Sequence, residues 1–132
     1  MVIDASAMTE FLLQTPLGVR VEAQLFRYAA EFHAPHLLDV EVLQALRRLV
    51  RTGEVAASRA EEAIADLADF DLQRHTHVDV LDRVWALRAN LTAYDAIYVA
   101  LAEALAAPLM TCDGPLGKAP GHAARVEVVR LK

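Results

Sequence analysis

Asp4, Glu41, Asp95 and Asp113 are carboxylates spread across nearly the whole of a 132-residue chain. Asp4 sits in Val-Ile-Asp-Ala-Ser, and Asp95 in Leu-Thr-Ala-Tyr-Asp-Ala-Ile-Tyr-Val-Ala-Leu-Ala-Glu, so both are flanked by small and apolar residues. A carboxylate in such surroundings is at least partly stripped of water, which is costly unless a cation or hydrogen-bond donors compensate. A divalent metal is a reasonable partner on those grounds. Several oxygen ligands without a neighbouring Cys or His ligand pattern favour a hard cation, Mg²⁺ or Mn²⁺, over zinc.

Each acid also has a local explanation. Asp4 can cap a helix that begins near Ala5, because Asp accepts from the free N–H groups of a first turn. Asp95 can be the fourth member of a capping box that starts at Thr92. Glu41, like Asp39, can be a first-turn acid favoured by the helix dipole. Asp113 can be a turn residue before Gly114-Pro115. Their joint use depends on whether the fold brings them together.

The elements that must do so alternate in type. Val2-Ile3 is a short extended run, and Ala5 to Leu13 favours helix until Thr15-Pro16 interrupts it. Leu17, Val21, Leu25 and Tyr28 line one face of a second helix expected to reach about residue 30. Phe32 to Pro35 reads as extended, and Leu38, Val42, Ala45, Leu46 and Leu49 as one side of a helix stopped by Gly53. Ala60, Ile64, Leu67 and Ala68 mark another helix, with a charged outer face. Leu72 to Thr76 reads as a strand, and Val78 to Leu87 as a helix with Leu81, Val84, Trp85 and Val80 inward. Thr92 to Ala107, rich in Ala and Leu and closed by Pro108, is the clearest helix. Pro108 to Thr111 and Val126 to Leu131 have strand character, and Gly114 to Gly121 reads as a loop.

Strands alternating with helices imply crossover units and a mainly parallel sheet covered on both faces. Ligands of such sheets bind beyond the carboxyl ends of the strands. Asp4 and Asp113, about 110 residues apart, each follow a strand and so share that rim.

Composition agrees with one compact domain over residues 1–132: 55% of residues are hydrophobic and 23% charged, with no linker or repeat. No basic n-region and apolar h-region follow Met1, and no apolar stretch approaches the roughly 20 residues of a membrane span. One cysteine, Cys112, fits a reducing compartment. A cytoplasmic protein without membrane contact is expected. The net charge of −5 argues against coating nucleic acid by bulk electrostatics, although bound cations reverse the field at an acidic site. All but two of the thirteen basic residues are arginine, and Arg47, Arg48, Arg51 and Arg88 are candidates for phosphate contact.

Four blocks carry a family resemblance: Val2-Ile3-Asp4-Ala5-Ser6, Pro35-His36-Leu37-Leu38-Asp39-Val40-Glu41-Val42, Leu91-Thr92-Ala93-Tyr94-Asp95-Ala96-Ile97-Tyr98, and Leu109-Met110-Thr111-Cys112-Asp113. In this order and over nearly the whole chain, they resemble the PIN-domain ribonucleases of the VapC toxin type. The resemblance implies a three-layer α/β/α fold with a mainly parallel central sheet of four to five strands. It implies that Asp4, Glu41, Asp95 and Asp113 coordinate Mg²⁺ or Mn²⁺, with Ser6 and Thr111 as hydroxyl positions beside them. The implied activity is endoribonuclease cleavage by metal-activated water, leaving a 5′ phosphate and a 3′ hydroxyl. A homodimer and a cognate VapB-type antitoxin are the implied partners, with apolar surface on the first two helices as a binding site. DNA binding is expected of the antitoxin and not of this chain. Many relatives carry a further Asp or Asn two residues after the last acid, where this chain has Pro115, which puts a second metal site in question.

Other readings are a catalytically silent PIN module that binds RNA or protein, and a PIN nuclease that processes RNA without acting as a toxin. A dehalogenase-type phosphatase would need an Asp where this chain has Ser6. Zinc could recruit His75 and His77, which alternate onto one strand face, with His33 or His36, but isolated His-x-His pairs are mostly structural.

Overall fold

The computed structural model describes residues 1–28 and 31–131. Five short strands, β1 (Val2–Ile3), β2 (His33–Pro35), β3 (Gln73–His75), β4 (Leu109–Thr111) and β5 (Val126–Val128), form one sheet in the order β3-β2-β1-β4-β5, with every pairing parallel. Central β1 aligns Val2 with both His33 and Leu109, and Ile3 with Met110. Both residues of β1 are fully buried, as a parallel strand covered on two faces requires. The sheet continues one way from β1 through β2 and the other way through β4, so a crevice is expected at its carboxyl end.

Seven helices flank the sheet among the described residues: α1 (Ala5–Leu13), α2 (Pro16–Arg27), α3 (Leu37–Arg51), α4 (Ala57–Asp69), α5 (Leu81–Ala86), α6 (Ala93–Leu105) and α7 (Gly114–Lys118). α1 packs against α2, α3, α4 and β4, while α6 packs against α5, β1, β2 and β4. Ala96 to Ala102 of α6 are buried without a break. A helix apolar on all sides belongs in the interior, and this one lies along the centre of the sheet. Its cap is Thr92, whose hydroxyl accepts from the Asp95 amide at 3.2 Å. That is one half of the expected capping box.

Several boundaries differ from expectation. α2 ends at Arg27, and residues 29 and 30, to which it was expected to run, lie outside the described residues. Val78–Val80 is a single 3-10 turn ahead of the six-residue α5. The tighter turn changes the phase of the side chains: Val80 and Leu87 are buried, whereas Leu81 (55% exposed) and Trp85 (68%) face outward. The expected inward set is therefore corrected for those two. Arg88 lies over the Trp85 ring, 4.6 Å from its centroid. The Gly114 to Gly121 stretch is also not all loop, because Pro115 occupies the first turn of α7, where a proline's missing N–H costs nothing.

Candidate active site

Each of the four acids arrives on a different element. Asp4 follows β1 and caps α1, accepting from the Ala7 amide at 3.0 Å. Glu41 lies in the second turn of α3, Asp95 in the first turn of α6, and Asp113 just beyond β4. All four line one cavity of about 490 Å³, together with Ser6, Thr9, Ala45, Arg48 and Tyr98 among others.

Asp4 is the most enclosed, at 6% exposure. Its Oδ1 accepts from the Ser6 hydroxyl at 2.7 Å as well as from Ala7, and its Oδ2 accepts from the Thr111 hydroxyl. Ser6 Oγ in turn accepts from the Cys112 amide at 2.9 Å, and Thr111 Oγ1 from the Asp113 amide at 2.9 Å. This network ties the end of β4 to the start of α1 and fixes the plane of the Asp4 carboxylate. Both hydroxyls touch Asp4.

Glu41 is oriented by a residue that the sequence reading missed. Tyr98, one turn after Asp95 on α6, donates its hydroxyl to Glu41 Oε1 at 2.6 Å. The signal was a tyrosine three residues after an acid on an otherwise apolar helix, where the same face recurs. Burial pushes the Tyr98 phenol far up, and the neighbouring Glu41 adds to the shift. It stays a neutral donor.

Burial raises the carboxyl pKa of Asp4, Glu41 and Asp95 above the ordinary range. Hydrogen bonds from Thr111, Ala7 and Ser6 oppose the rise at Asp4, and the Tyr98 hydroxyl opposes it at Glu41. Repulsion adds to it around a ring: Asp113 acts on Asp4 and on Asp95, and Asp4 and Asp95 both act on Glu41. Among the described residues none of the four is in an ion pair.

A ring of mutually repelling oxygen donors with no paired cation fits a hard divalent ion. Among the described residues, no three His, Cys, Asp or Glu side chains stand close enough to enclose a metal directly. The arrangement therefore suits an ion that keeps part of its water shell, as Mg²⁺ does. Nearby, burial pushes the Cys112 thiol up to about 12, which leaves it a poor nucleophile.

The histidines serve the frame. His33 Nδ1 and His75 Nε2 lie 2.8 Å apart across β2 and β3, and His77, beyond the end of β3, accepts from the Leu37 amide through Nε2 at 3.2 Å. Of the arginines singled out by sequence, only Arg48 lines the acidic cavity, whereas Arg47 and Arg51 border a separate apolar groove with Leu43 and Ile64.

The PIN-domain family model matches residues 1–121. Ribonuclease VapC1 of Mycobacterium tuberculosis is 39% identical over 130 residues, spanning 98% of this chain and 97% of its own. Ribonuclease VapC12 of the same organism is 37% identical over 128 residues, spanning 97% and 98%. A crystal structure of PAE2754 from Pyrobaculum aerophilum superposes with a TM-score of 0.68 at 23% identity, covering 96% of this chain and 82% of that one, a likeness of fold. The chain belongs to the PIN-domain family and, within it, to the VapC type.

Proposed function

We propose that this protein is a Mg²⁺- or Mn²⁺-dependent endoribonuclease and the toxin of a VapBC-type pair. The carrying observation is the convergence of four carboxylates from four separate elements on one cavity, three of them with raised pKa values and, among the described residues, none paired with a cation. The relatives' name, Ribonuclease VapC, supports RNA as the substrate and implies a VapB-type antitoxin as the partner.

A divalent cation held by Asp4, Glu41, Asp95 and Asp113 would lower the pKa of water and stabilise charge on a phosphodiester during in-line displacement. The chain's own groups prepare that step. Ser6, Thr111 and the Ala7 amide hold Asp4 in one orientation, so little reorganisation is needed when an ion arrives. Tyr98 fixes one oxygen of Glu41 and leaves the other free. Asp95 and Asp113 close the ring from the side of α6 and β4. The cut leaves a 5′ phosphate and a 3′ hydroxyl. With Pro115 following Asp113 in α7, the ring ends at four carboxylates, which favours one ion over two.

A homodimer in the cytoplasm, inhibited by its antitoxin and reading no DNA itself, completes the proposal. Among the described residues no helix is long and apolar enough to cross a membrane. The test is incubation of the purified protein with a set of structured RNAs in Mn²⁺, in EDTA, and as Asp4→Asn. Endonucleolytic cuts are expected only for the unaltered protein with metal. Intact RNA under all three conditions, with every sample folded by circular dichroism, would remove the nuclease reading.

A further inference from the structure

We infer that the α1–α3 side of the cavity is a subsite for the RNA phosphate next to the scissile one, with the Arg48 guanidinium as its cation. The inference rests on the nuclease reading of the acidic ring.

Glu41, Ala45 and Arg48 follow one another at i, i+4 and i+7 on α3, and all three face the cavity. At 1.5 Å per residue, Arg48 stands about 10 Å along the helix from Glu41. Ala45 between them has no side chain beyond Cβ, which leaves a channel from the acids to the guanidinium. Arg48 is exposed at the mouth, and it is the one basic side chain among the described lining residues. Among the described residues its guanidinium also has no hydrogen bond or ion pair, whereas Arg59, Arg74, Arg83 and Arg125 are each paired with a carboxylate.

Thr9 lies on α1 across the cavity, 7% exposed, and among the described residues its Oγ1 is closed off from solvent without a partner, so it offers no donor to a ligand there. Arg48 is therefore the polar group on this side that a phosphate can reach. Glu10 lines the same side, but its carboxylate already accepts the Thr15 hydroxyl at the corner between α1 and α2.

Electrostatics favours such a site. An RNA strand entering the cavity meets four carboxylates, and a cation beside the phosphate that adjoins the scissile one offsets their repulsion. Arg48 supplies it, in the planar form that binds phosphate through two N–H groups.

The test uses a fluorescent single-stranded oligoribonucleotide bound to Asp4→Asn protein, so that the RNA is not cut. Adding Arg48→Gln should weaken binding about 10-fold and reduce the salt slope by about 0.7, the value of one phosphate contact on a single strand. Thr9→Val, which keeps the shape and removes a hydroxyl closed off from solvent, should leave it within about twofold. Arg47→Gln, in the separate groove, serves as the control and should stay within about twofold. Equal losses for Arg48→Gln and Arg47→Gln, or an unchanged salt slope, would overturn the subsite. Selective loss of binding to polyglutamate in place of RNA would assign Arg48 to an acidic protein segment and overturn the RNA reading. In cleavage assays with the Asp4 form, Arg48→Gln should lower kcat/KM on a longer oligonucleotide and spare a dinucleotide, which has no neighbouring phosphate. If that form cuts neither substrate, the nuclease reading fails, while the salt slope still decides the subsite.

Discussion

Asp4 combines two roles on one side chain: it caps α1 through the Ala7 amide and presents a carboxylate to the cavity. Ser6 and Thr111 make the two roles compatible by fixing the carboxylate plane while leaving one acceptor direction on Oδ2 open. Removing one such contact loosens the ligand without deleting it, so Ser6→Ala should keep its fold and lose about 10- to 100-fold in Mn²⁺ affinity or turnover. Metal titration and single-turnover cleavage measure this, and an unchanged affinity would leave Ser6 a purely structural role. Protonation gives a second prediction. The folded-state carboxyls of Asp4, Glu41 and Asp95 lie above their ordinary values of 3.8, 4.5 and 3.8, so the metal-free fold binds protons more tightly than the unfolded chain does. The stability this supplies is fully present below the ordinary values and is lost as pH rises through the raised ones. Asp4→Asn removes one such group. The gain in melting temperature of Asp4→Asn over the unaltered metal-free protein should grow from pH 4 to pH 7. A difference that shrinks over that range would contradict the burial cost at Asp4.

α1 and α2 must meet at a sharp corner if α1 is to hold Asp4, Ser6 and Thr9 against the cavity. Gln14 in the left-handed conformation ends α1, Thr15 caps α2 by accepting from the Gly18 amide at 2.9 Å, and Pro16 begins it. Gly18 permits the close approach: a Cβ there would stand 1.9 Å from the Glu10 carbonyl oxygen. That contact is with backbone, which cannot swing aside. Gly18→Ala should therefore destabilise the protein by about 3 kcal/mol through overpacking, with the loss read from urea unfolding. A change under about 0.5 kcal/mol, typical of a neutral surface site, would show that the corner yields freely. Most helices here were visible in the sequence, because apolar spacing, caps and prolines are local signals. The phase of the stretch from Val78 to Leu87 was not, since one 3-10 turn rotates everything after it and sets Leu81 and Trp85 outward.

At the scale of the whole molecule, the sheet order places β1 between β2 and β4 and so delivers Asp4 and Asp113 to one rim. α3 and α6 bring Glu41 and Asp95 to the same cavity. The ring this makes is destabilising until a cation enters, so Mn²⁺ should raise the melting temperature, and should do so more at pH 7 than at pH 5, where raised carboxyls retain protons and compete with the ion. At 100 times Kd the stabilisation would be about 2.7 kcal/mol. Equal shifts at the two pH values, or none, would count against metal at the acids. The sequence by itself determined the alternating order of strands and helices, because apolar periodicity is a short-range property. The four acids, with Ser6 and Thr111 beside them, it named through resemblance to a family. Only the tertiary structure decided that Tyr98 steadies Glu41, that Thr9 is left without a partner, and that Arg48 and not Arg47 faces the acids. Those facts depend on which helix faces meet, and separation along the chain carries no information about that.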